Sequence, residues 1–244
     1  MKNPYKILGI ILSIAGAVLA PVFYFFFLST PLTAVALSSV ILGLASFFLS
    51  NTRPNISPEA CQILLKTGME NTAALLEEIG IRNKAIYLPA GMRNGYPQAI
   101  VPIRDDYNIG NIKDKLSGRL IVRYGPDAND MAIAVTTPGS INLEMLENIP
   151  GPTAYEIESA ISYILTGVLD IANGVKVNIT DSRINVEIRN AKMGYEEIWY
   201  YYCLGSPLAS IAAAVSSEAL QKPIRILEEQ EQAGKYRIVL EVLS

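Results

Sequence analysis

The sequence predicts an α+β protein: an N-terminal transmembrane helical hairpin, then a soluble domain of helix-plus-β-hairpin units, an antiparallel sheet with helices packed on it. Three observations carry this prediction. Residues 7–52 contain no Asp, Glu, Lys or Arg, whereas residues 53–244 hold all 23 acids and 18 of the 20 bases. Three later segments place apolar residues at helical spacing. Each of these leads into two short runs rich in β-branched residues and separated by turn residues.

The hairpin comes first in the chain and divides it into 1–52 and 53–244. Residues 7–28 and 32–50 are each near the roughly 20 apolar residues that cross a hydrocarbon core about 30 Å thick. The Ser29-Thr30-Pro31 link can join only antiparallel neighbours. A cleavable signal peptide is the rival reading, but its apolar core would run to about 7–15 residues and Pro21 would follow the Ala20 cleavage site. Small residues form a stripe on each helix: Gly9, Ser13, Gly16 and Ala20 on the first, Ala36, Ser39, Gly43, Ser46 and Ser50 on the second. Small side chains let helix backbones approach closely in lipid. Pro21 predicts a kink in the first helix.

Lys2 and Lys6 precede the first span, Arg53 follows the second, and the turn is uncharged. The positive-inside rule then predicts a two-pass protein of the cell membrane with both termini and the soluble domain in the cytoplasm. Glycan on the sequons at Asn55 or Asn178 would reverse that orientation.

In the soluble part, Ser57 and Pro58 predict the start of a helix running to Gly80, with Cys61, Leu64, Leu65, Leu75, Leu76 and Ile79 on its buried face. Strands over 84–88 and 98–103 follow, then a pair over 119–124 and 131–135. A second helix over 153–170, burying Ile157, Ala160, Ile161, Ile164 and Val168, leads to strands 175–180 and 183–189. A third, capped by Ser206 and Pro207, carries Leu208, Ile211, Ala212, Val215 and Ala219 and leads to strands 223–228 and 235–242. Residues 57–136 and 150–244 can be two lobes or one continuous domain.

Residues 195–207 (YEEIWYYYCLGSP) hold the only Trp and four of the 13 tyrosines. Trp199, Tyr200, Tyr201, Tyr202, Cys203, Gly205 and Ser206 are the candidate ligand or partner surface, because such aromatics join an apolar body to a hydrogen-bonding tip. A core strand leading into a helix explains the same residues. The helix start at Gly205-Ser206-Pro207 can hold an anion or simply be capped. The same helix end can activate the Cys203 thiol, with Glu196 or Glu197 as the only carboxylate bases close by in sequence.

Histidine is absent, which removes the commonest general base at neutral pH and the commonest nitrogen ligand for zinc. The two cysteines, Cys61 and Cys203, lack metal or disulfide spacing. The soluble part carries a net charge of −5 from 18 bases and 23 acids, which argues against nucleic acid as a partner. No phosphate-loop, dinucleotide, zinc-protease or nucleophile-elbow motif occurs, so no catalytic residue, metal or cofactor is predicted.

The stretches TAALLEEIGIRNKAIYLPAG, QAIVPI and CLGSPLASIAAAVSSEALQKPIRILEE, set behind two spans, resemble an uncharacterised family of archaeal membrane proteins. That resemblance implies the two-span layout and brings no activity. Roughly the last 40 residues are similar to the end of vinyl-reductase-type ligand-binding domains. Those domains place further cysteines in their final strands; none follows Cys203, so their metal binding does not carry over.

The expected function is therefore that of a membrane-anchored cytoplasmic binding or scaffold protein without catalysis. Its partners are the lipid bilayer and a protein, or a second copy met through the membrane hairpin. A small-ligand or lipid sensor with an aromatic pocket at Trp199 is the alternative, and a thiol enzyme using Cys203 the third.

Overall fold

The structure, a computed structural model, describes residues 4–52, 58–95, 99–112, 115–194, 198–232 and 234–243. Lys2, Arg53, Asn55, Ser57, Gln98, Tyr195, Glu196 and Glu197, named above, lie outside the described residues. The chain forms two compact units, Met1–Leu65 and Lys66–Ser244.

In the first unit, α1 (Pro4–Phe25) and α2 (Thr30–Thr52) pack as an antiparallel hairpin. Their mean hydropathies of 2.3 and 2.2 over 21 residues each make both long and apolar enough to cross a membrane. By the composition of these helices the chain is a membrane protein. The first span ends at Phe25 rather than at residue 28. Phe26 to Ser29 make the turn, with Leu28 at φ 47°, and Pro31 sits in the first turn of α2, where its missing N–H costs nothing.

Gly9, Gly16, Ala20, Ala36, Gly43 and Ser50 are buried between the helices, and Ser13, Ser39 and Ser46 are half-buried. A Cβ on Gly9 would stand 2.8 Å from the Gly43 carbonyl oxygen, and one on Gly16 would stand 2.6 Å from that of Ala36. The backbones therefore meet directly at both places. Large side chains such as Ile11, Ile14, Val18 and Leu42 point outward.

α3 (Pro58–Glu78) belongs partly to each unit. Its predicted buried face is corrected. Of the six residues named, only Leu76 is buried; Leu64, Leu65, Leu75 and Ile79 are exposed, as is Cys61. Leu76, with Met69 and Ala73 beside it, packs on the domain core, while Leu75 of the same helix and Ile79 just past its end stay exposed.

The second unit is built on one eight-stranded sheet in the order β3-β4-β2-β1-β7-β8-β6-β5, with every neighbouring pair antiparallel. The strands are β1 (Ile86–Tyr87), β2 (Ala99–Pro102), β3 (Ile121–Arg123), β4 (Met131–Val135), β5 (Gly174–Thr180), β6 (Arg183–Arg189), β7 (Ile224–Gln232) and β8 (Lys235–Val242). Pairing of Ile86 with Arg225 and of Tyr87 with Ile224 joins the two halves of the sequence in one sheet.

Helices lie on one face of this sheet. α7 (Pro207–Leu220) is buried on every side up to Ala219, because its Ala and Ser side chains admit α4 (Pro138–Asn142), α5 (Ala154–Ser162) and the strands at close range. A capping box at Thr153 and Glu156 starts α5, and residues 163–168 continue it as a π-helical turn. Val168, expected on its buried face, is exposed. Loop residues Tyr107, Ile109 and Ile112 cover the other face of β1–β4, packing on Ile86, Ile100, Val122 and Ala132. On the outer face of β5–β8 the side chains are mostly polar, with Arg183, Arg189, Lys235 and Arg237 exposed.

Candidate functional site

The aromatic segment forms a helix where a strand was the competing expectation. α6 (Trp199–Leu204) buries Tyr200, Tyr201, Cys203 and Leu204, and the i,i+3 spacing stacks Trp199 on Tyr202 at 4.8 Å between ring centroids. Aromatic content favours strands, but three buried groups spaced for one helical face decide otherwise once a core is there to receive them. Gly205, at φ 81° and ψ 162°, breaks the chain between α6 and α7 in a conformation that only glycine adopts readily.

Ser206 caps α7 by accepting a hydrogen bond from the Ala209 N–H. The anion position at this helix start is filled by the chain's own Glu229 carboxylate, which accepts from the Ser206 N–H at 3.1 Å and from the Tyr236 hydroxyl at 2.8 Å. Burial raises the Glu229 pKa, against the pull of these hydrogen bonds and of Lys84. Lys84 donates to the Leu227 carbonyl at 2.6 Å and lies 6.0 Å from the Tyr202 ring centre. Desolvation lowers its pKa, with Glu229 opposing.

The space left among Lys84, Tyr201, Tyr202, Cys203, Ile226 and Glu229 is about 40 Å³. Small-molecule pockets usually enclose roughly 300–1,000 Å³. Cys203 is 1% exposed, and burial pushes its thiol up to about 11. The activation expected from a helix N-terminus is thus reversed in direction: Cys203 lies at the C-terminal end of α6, and its carbonyl accepts the Ala85 N–H.

Two further polar arrangements had no signal in the sequence pattern. Arg93 and Glu218 form a buried ion pair at 2.5 Å, with both side chains about 95% enclosed, at 5% and 6% exposure. Arg93 also donates to the carbonyls of Leu88 and Gly95, while Glu218 accepts the Ala90 N–H. The Tyr87 hydroxyl, buried beside α7, donates to the Leu204 carbonyl at 2.5 Å.

Among the described residues no group of three or more His, Cys, Asp or Glu is arranged to hold a metal ion. The larger concavities lie elsewhere. One of about 520 Å³ opens on the outer face of β5–β8, lined by Ser182, Arg183, Asn185, Glu228, Gln230 and Arg237 among others. A shallower one of about 510 Å³ runs along α5 past Tyr155, Ser159 and Tyr163 toward Val175.

A family model described as "Domain of unknown function (DUF7982)" matches residues 5–241, nearly the whole chain. The chain belongs to this family. No curated protein and no solved structure matches it. The span of the family match includes both the hairpin and the sheet domain, so the two occur together as one family unit. Within it, the residues singled out at 199–206 are brought together around the start of α7, but most of them face inward. The residues of the open cleft come from four strands and share no local motif.

Proposed function

We propose that the chain is a membrane-anchored binding or scaffold protein without catalytic activity, and that its partner is a second copy of itself. Both termini and the domain then lie on the cytoplasmic side of the cell membrane, as the basic flanks Lys2, Lys6 and Arg53 require. The observation that carries this reading is the exposed apolar stripe of α3. Gly68, Thr72, Leu75 and Ile79 fall on alternating steps of four and three, the spacing of a helix–helix seam. Leu75 and Ile79 are 44% and 46% exposed, an arrangement that water disfavours and a like helix would cover. Copies anchored in one membrane with one orientation meet at high effective concentration and present identical helices for a two-fold contact. The closed interior around Cys203, and the high pKa of its thiol, support the absence of thiol catalysis. Kinship with archaeal proteins rests on the resemblance alone.

Cys61 is exposed and Cys203 is not, so α3 carries its own reporter. A membrane-permeant bis-maleimide applied to native membranes is expected to give a dimer of the full chain that disappears in Cys61→Ser and weakens in Leu75→Glu/Ile79→Glu. A chain that stays monomeric at all reagent concentrations overturns the reading. Labelling of Cys61 by an impermeant maleimide in intact cells would overturn the orientation.

A further inference from the structure

We propose that the cleft on the outer face of β5–β8 binds a small molecule bearing two oxyanion groups, phosphate or carboxylate, held by Arg183 and Arg237. This stands apart from self-association through α3. The evidence is the disposition of charge on the sheet. Register places Arg183 opposite Glu241 and Arg237 opposite Glu187, so each arginine has a carboxylate across the ladder. Both carboxylates are taken by other cations. Glu187 pairs with Lys235 at 3.1 Å and with Arg189 at 3.7 Å, and Glu241 pairs with Arg225 at 2.6 Å. Glu228, which lines the cleft, accepts from the Gln230 amide. Among the described residues, Arg183 and Arg237 make no ion pair, and both line the same cleft of about 520 Å³.

A guanidinium presents several donors in a planar fork that fits carboxylate and phosphate oxygens two at a time. Two such forks over one concavity of ligand size suit anionic groups better than a neutral molecule. Arg183 and Glu187, the cross-strand neighbour of Arg237, are four residues apart on β6, about 13 Å at about 3.3 Å per residue. Side chains as long as those of Arg183 and Arg237 can bring both guanidinium groups to one compact dianion. Asp181 and Glu228 also line the cleft, and their negative charge favours a compact dianion held between the arginines over a longer polyanion such as nucleic acid.

The full chain in nanodiscs of uncharged lipid would be titrated calorimetrically with inorganic pyrophosphate, citrate and glucose. Saturable binding of pyrophosphate points to a phosphate ligand and of citrate to a carboxylate one. Arg183→Gln and Arg237→Gln are each expected to weaken it about tenfold or more, with the melting temperature unchanged because both side chains are exposed. No saturable binding of either anion, equal binding of glucose, or binding that survives the double variant would overturn the proposal.

Discussion

Among the described residues three stretches are long and apolar enough to cross a membrane, the two hairpin helices and the run from α6 through α7, and they meet opposite fates. α1 and α2 have mean hydropathies of 2.3 and 2.2, and 11% of each span is buried; the stretch from α6 through α7 reaches 1.3 and is 94% buried. Average apolarity ranks them but does not explain the difference. The hairpin carries its large side chains outward and its small ones inward, and the Ser38 and Ser39 hydroxyls return to their own helix, at the Ala34 and Val35 carbonyls. α7 has small side chains nearly all round, and its polar groups reach across the fold. Ser217 donates to the Tyr87 carbonyl, and Glu218 meets Arg93. A helix made for lipid satisfies itself; a core helix depends on partners that only the folded domain supplies.

The sharpest way to break that contrast is to remove such a partner. Glu218→Ala leaves the Arg93 guanidinium enclosed and uncompensated, which is expected to cost about 3–5 kcal/mol in chemical denaturation of the detergent-solubilised chain. The double variant Arg93→Met/Glu218→Leu is expected to recover most of the loss. A single variant that loses under about 1 kcal/mol would mean that α7 does not rely on its polar partner.

Glu229 supplies a smaller and pH-dependent effect. Its folded pKa is raised above the ordinary value of 4.5, so between that value and the raised one the folded state binds more proton than the unfolded state. Stability from this group is therefore greatest at acid pH and declines as pH climbs from about 4.5 toward the raised pKa. Glu229→Gln keeps an acceptor for Ser206 and Tyr236 and is expected to abolish that decline. An unchanged slope in melting temperature against pH would assign the decline to other groups.

The least effect is expected on the lipid side of the hairpin. Ile14 is 61% exposed, and lipid contacts it whether or not the helices are packed. Ile14→Ala should therefore shift stability by less than about 0.5 kcal/mol in the same assay. A loss of 2 kcal/mol or more, the ordinary result of truncating a buried isoleucine, would place that face against protein.

The boundaries of β6 and β8 were legible to the residue because alternation of apolar and polar side chains is local and has a period that nothing else mimics, and those of β4 because a short apolar run stands between turn residues. The hairpin was legible for a similar reason: a charge-free run of its length has few other uses. α6 was not, since a hexapeptide of aromatics suits strand or helix and only contact with the core selects one. The exposed stripe of α3 was misjudged because periodicity says that a face is apolar and leaves open what covers it.

By itself, then, the sequence determined the anchor, the α+β class, most strand positions and the capped start of α7 at Ser206, all of which follow from residues within a few positions of one another. Only the tertiary structure decided that the anion at that start is Glu229, that Cys203 is closed away with its pKa raised, that Arg93 finds Glu218, and that Arg183 and Arg237 share one cleft. Each of these joins residues distant in sequence, and side chains so separated acquire their partners, and their charge balance, from the fold.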